Sequence, residues 1–128
     1  MAAFAISRTT PLAFDDALAR AREALAAEGF GVLCEIDVQA TLKAKLGEEL
    51  EPYTILGACN PPLAHRALGA EPSLGVLLPC NVVVRVERGE THVEAVDAEA
   101  MLGLVGSAEL APVAADVRAR LERVVAAV

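Results

Sequence analysis

Two Cys-Asn dipeptides, Cys59-Asn60 and Cys80-Asn81, are the residues of this chain best suited by type and position to do chemistry. A thiolate is a nucleophile and a soft-metal ligand, and the positive end of a helix dipole favours it. Asn60-Pro61 reads as the N-cap and first position of a helix, which sets Cys59 at such a place. Cys80 stands near the start of a long strand. If the strand ending at Cys59 runs antiparallel to it, both sulfurs share one end of one sheet. Asp97 would then lie opposite Cys80 across a hairpin, and His65 lies within reach of Cys59 in some geometries. Two thiolates with a carboxylate or an imidazole suit zinc or copper(I), although a complete four-ligand set is not legible.

Each of these residues also has a quieter reading. Asn60, Asp97 and Asp37 all sit where a helix N-cap is expected, and the Cys-Asn pairs can be small thiols with asparagines tying down backbone at turns. His65 near the end of a short helix needs no function. Cys34 alternates with Val32 and Ile36 and reads as a small buried hydrophobe. Glycine-rich phosphate loops, nucleophile elbows and the H-E-x-x-H, C-x-x-C and EF-hand patterns are missing.

The elements that would position these groups follow from periodicity and caps. Ala3–Ser7 reads as a strand. Thr10 and Pro11 open a helix through Glu28, with Phe14, Leu18, Ala21 and Leu25 as its stripe and Gly29 as its left-handed cap. Phe30–Asp37 is a strand with Val32, Cys34 and Ile36 on one face, Leu33 and Glu35 on the other. A short helix runs from Asp37 to Leu46, closed by Gly47. Tyr53–Ala58 is a strand, and the helix after Asn60 runs to Leu68 with Gly69 as its stop. Val76–Glu87 and Thr91–Val96 form a hairpin about Arg88-Gly89, which sets Val84 against Val93 and Arg85 against His92. The final helix, Glu109–Ala127, buries Val113, Val117, Leu121, Val124 and Val128. One mainly antiparallel sheet with both long helices on one face accommodates this order, an α+β class. The uncovered face would carry Leu33, Val83 and Leu56 beside Arg85, His92 and Glu94, which is apolar enough to invite a second copy.

Composition narrows the partners. In 128 residues there is room for a single domain, 1–128, and the 55% of apolar residues can fill its core. Aromatics are 3%, too few for base-stacking platforms, and a net charge of −7 with scattered arginines argues against nucleic acid and anionic membranes. No stretch is long and apolar enough for a membrane span, and the N-terminus lacks signal-peptide character. Three cysteines, an odd count, read as reduced thiols in a cytoplasmic protein. The preference for Arg and Ala over Lys suggests a bacterial source.

Four blocks carry a family resemblance: EIDVQATLKAKLG (Glu35–Gly47), ILGACNPPLAHRAL (Ile55–Leu68), LLPCNVVV (Leu77–Val84) and VDAEAML (Val96–Leu102). Together they resemble the domain-of-unknown-function family numbered 302 over nearly the whole chain. The resemblance implies a TATA-binding-protein-like α+β fold and a homodimer. It implies no DNA binding, since such a fold name records shape, and it assigns no catalytic residues.

Three functions remain open: a dimeric module binding a small ligand or soft metal near two thiols, a thiol-dependent enzyme or redox protein using Cys59, and a structural or adaptor protein without chemistry. Reaction, substrate and cofactor are unassigned by the sequence.

Overall fold

The computed structural model describes residues 3–128. Five strands, β1 (Ala5–Thr10), β2 (Gly31–Asp37), β3 (Tyr53–Cys59), β4 (Cys80–Glu87) and β5 (Glu90–Val96), form one antiparallel sheet in the order β1-β5-β4-β3-β2. Alternation sorts their side chains. Thr54, Leu56, Ala58, Cys80, Val82, Val84, Thr91, Val93 and Ala95 share one buried face, whereas Ile55, Val83, Arg85, His92 and Glu94 share the other.

The long helices α1 (Phe14–Ala27) and α5 (Ala111–Ala127) pack on the buried face and against each other. Ala17, Ala21, Ala24 and Leu25 of α1 join Val113, Val117, Leu121 and Val124 of α5 in a single core. Arg20 Nε on α1 also donates to the Ala127 carbonyl at 3.0 Å. The expected α+β architecture, with both helices on one side, is therefore the observed one.

Caps set several boundaries as read. Asp37 accepts from the Ala40 amide at 2.9 Å to start α2 (Val38–Leu46), and Gly47, at φ 69°, closes it. Asn60 starts α3 (Pro61–Ala70), and Asp97 starts α4 (Ala98–Leu102). Arg88 and Gly89, at φ 52° and 80°, make the two-residue turn of the β4-β5 hairpin. Val84 faces Val93 and Arg85 faces His92, in the expected register.

Other boundaries differ. Thr10 does not cap α1: it ends β1 opposite Thr91, and its hydroxyl donates to the Val128 carbonyl at 2.9 Å. The helix starts three residues later without a side-chain cap. Gly69 lies inside α3, and Pro72 sets the end by holding Glu71 in extended backbone. A 3-10 turn occupies Pro72–Leu77, and β4 begins only at Cys80, because Pro79 has no amide proton to extend the ladder.

The largest correction concerns β2. A bulge between Val32 and Cys34 inserts one residue against Ala58 and Gly57. Cys34 consequently pairs with Gly57 and Ile36 with Ile55, both on the open face, while Glu35 pairs with Leu56 on the helix face and reaches Arg22 of α1 at 2.8 Å. The sequence expectation of a buried Cys34 is overturned: its side chain is exposed. Leu56, expected on the open face, is fully buried under the helices.

Candidate functional site

The end of the sheet where β3 finishes and β4 begins carries the candidate site. Ala58 is the register partner of Cys80, so Cys59 stands one residue beyond Cys80's cross-strand neighbour. Both cysteines line one pocket of about 350 Å³, closed in by α3, the 3-10 turn, α4 and α5. From α3 come Leu63 and Ala67, placed on the inner side by the spacing of one helical turn. Leu74 and Leu78 wall it from the connection to β4, Met101 and Leu102 from α4, and Val113 and Val117 from α5. Phe30 and the bulge residue Leu33 complete it from the β2 side; Leu33 stays 69% exposed, as a rim residue does. No Asp, Glu, Lys, Arg or His is among the lining residues.

Chemistry at Cys80 is governed by this apolar setting. Burial raises its pKa to about 11, and the neighbouring Cys59 adds to the rise. At neutral pH Cys80 is a thiol, a weak hydrogen-bond donor and a poor nucleophile.

Asn60 lines the pocket with one bond made by each of its polar atoms. Its Oδ1 accepts from the Leu63 amide at 3.3 Å, and its Nδ2 donates to the Glu28 carbonyl at 3.4 Å. Arg120 Nη1 donates to the same carbonyl at 2.9 Å. The side chain thus fastens the start of α3 to the end of α1. It holds the mouth of the pocket in shape and leaves the capping account of this residue sufficient.

The remaining candidates lie elsewhere. Asn81 pairs with Gly57 and is exposed on the open face. His65 is exposed on α3 and takes no part in the pocket wall. The β4-β5 register stops at Val82 and Ala95, short of Asp97. Asp97 instead accepts from the amides of Glu99 and Ala100 and from Arg118 Nε at 3.1 Å. Burial alone would raise its pKa, but those donors outweigh it and hold the carboxyl below its ordinary range. Among the described residues no cluster of three or more His, Cys, Asp or Glu stands where it could hold a metal ion. The soft-metal ligand set anticipated from the sequence is not brought together.

On the open face the predicted cross-strand cluster is present. Arg85 Nε meets Glu94 at 2.6 Å, Ser7 donates to the same carboxylate at 2.8 Å, and Glu87 takes a second arm of Arg85. Beside it lie Ile36, 45% exposed, and the partly covered Ile55 and Val83.

Fold and site together define an α+β domain with one helix-covered and one open sheet face and an apolar pocket at the sheet's end. The chain belongs to the family described as domain of unknown function DUF302, whose model matches residues 6–128. It is similar to a crystal structure of an uncharacterized conserved protein DUF302 from Bacillus stearothermophilus, with 32% identity, 98% of each chain covered and a TM-score of 0.91. No curated protein matches the chain. The family is of unknown function and this neighbour is uncharacterised, so neither assigns an activity to the site.

The pocket walls were not legible beforehand. Leu63, Ala67, Met101, Val113 and Val117 carry the same helical periodicity as residues packed without a gap, and nothing local separates the two.

Proposed function

We propose that this domain is a cytoplasmic, homodimeric binding module that takes a small molecule into the pocket beside Cys59 and Cys80. The observation that carries this reading is an apolar pocket of about 350 Å³, within the range that small-molecule sites occupy, with both thiols on its wall. The small-molecule reading is favoured over a soft metal because Asp97 is bound to Arg118 and His65 faces away. It is favoured over thiol catalysis at Cys59 because no carboxylate, imidazole or cation lines the pocket to assist that sulfur, and the second thiol, Cys80, stays protonated.

Dimerisation through the open face is supported by its content. Ile36 and Cys34 are exposed there, and the charges of Arg85 and Glu94 neutralise each other. The same pairing leaves little positive surface for nucleic acid on a chain of net charge −7. A cytoplasmic setting fits three free cysteines, and no described helix is long and apolar enough to cross a membrane.

Uptake of the neutral two-ring fluorophore 1-aminonaphthalene tests the pocket. Its emission should shift to the blue on mixing with wild-type protein and fail to shift with Ala67→Phe, provided that variant's circular dichroism is unchanged. A wild-type protein that takes up no probe, or a folded variant that takes it up equally, overturns the reading. Light scattering tests the dimer: a mass near twice the 13.3 kDa of one chain is expected, and a mass near 13.3 kDa removes it.

A further inference from the structure

Resting on the pocket reading above, we infer that the ligand is an uncharged, mainly hydrocarbon molecule carrying at most a hydroxyl or carbonyl group. None of the wall residues bears a charge, and the polar side chains there are two thiols and the amide of Asn60. Asn60 uses one lone pair of its oxygen on the Leu63 amide and one N–H on the Glu28 carbonyl, which leaves a ligand at most one neutral N–H and one lone pair. The nearest helix N-terminus offers no anion site either, because its cap is closed by Asn60 and its first two helical positions, Pro61 and Pro62, have no amide protons. The wall therefore offers a polar ligand atom that N–H and the S–H of Cys59 or Cys80, neutral donors that suit a hydroxyl or carbonyl oxygen. A carboxylate or phosphate entering here would lose its hydration with no cation and only a few neutral donors to replace it.

Size narrows the class further. At the ~30 Å³ that one water takes in the liquid, 350 Å³ holds roughly a dozen non-hydrogen atoms. A medium-chain alcohol, aldehyde or ketone, or a fused two-ring hydrocarbon, fills that space. A nucleotide does not fit it.

The test is displacement of bound 1-aminonaphthalene, a two-ring probe of the size the pocket holds, by 1-decanol and by decanoate at pH 8, which share one chain length and differ in charge. Decanol should displace the probe at concentrations at least a hundredfold lower than decanoate. Met101→Lys, which sets an ammonium on the wall, should narrow or reverse that ratio. Equal displacement by the two ligands, or tighter binding of decanoate to the wild type, overturns the inference while leaving the pocket reading intact. A ratio unchanged in Met101→Lys also overturns it, since the chain then lies outside this wall. Failure of the probe itself to bind wild-type protein removes the pocket reading instead, and the two failures are distinct.

Discussion

Cys34 occupies the space that a side chain at position 57 would need. A β-carbon placed on Gly57 would stand 2.5 Å from Cys34 Sγ and 3.0 Å from Pro79 Cγ, closer than non-bonded atoms approach. The bulge in β2 brings the two residues opposite each other, and Pro79, just before β4, closes the third side. A larger residue at 57 therefore forces Cys34 Sγ or Pro79 to move.

Gly57→Ala is expected to destabilise the fold by about 1–3 kcal/mol, the usual cost of overpacking a tight site. Replacing Cys34 by Ala at the same time removes the sulfur and should recover part of that loss. Urea midpoints of the two single variants and the double variant check this. Strictly additive effects would mean that the two side chains do not share the space.

Asn60→Ala should cost about 1–2 kcal/mol, as loss of an N-cap does. Asn60→Asp keeps the acceptor for the Leu63 amide and loses the donor to the Glu28 carbonyl. Its stability should fall between those of the wild type and Asn60→Ala in thermal unfolding. Equal stability of Asp and Ala at this position would show that the clamp to α1, and not the cap, carries the effect.

Acid should weaken the protein partly through Asp97. Its carboxyl is held below its ordinary value of 3.8, so its contribution is present above that value and is lost as pH falls through the lower folded one. Asp97→Asn keeps an oxygen to cap α4 and drops the charge that faces Arg118. The variant should be less stable at pH 7 and lose less stability below about pH 4. Chemical denaturation from pH 2 to 7 measures both.

Alkali acts at the other end through Cys80. The unfolded thiol ionises near 9 and the folded one near 11, so stability is full below pH 9 and falls as pH rises toward 11. The loss attributable to this group is about 2–3 kcal/mol, from 1.36 kcal/mol for each tenfold change in acidity. Cys80→Ala should lack that alkaline limb in denaturation curves taken from pH 8 to 11. A mild disulfide reagent should spare Cys80 in the native protein and reach it only on unfolding. Prompt native labelling of Cys80 would contradict its burial.

Much of this molecule is decided by neighbours in the chain and is legible there. Asp37, Asn60 and Asp97 each accept an amide two or three residues ahead, and that interaction depends on almost nothing else. The stripes of α1 and α5 and the alternation of β4 and β5 name the faces they bury for the same reason. A two-residue loop at Arg88-Gly89 leaves the hairpin one register, so the pairing of Arg85 with His92 follows from counting. The approach of Cys59 and Cys80 to one end of the sheet required one further premise, that their strands are antiparallel neighbours, and they are. What tertiary structure alone decided lies where distant segments compete for the same space. The β2 bulge turned Cys34 outward and Glu35 toward Arg22, and a strand's alternation carries no mark of an inserted residue. Asp97 went to Arg118, because α5 presents that partner from far along the chain. The pocket itself is a mismatch between α3, α4, α5 and the sheet they cover. Gaps arise from how surfaces meet, and no single stretch of residues records how well it will be matched by another.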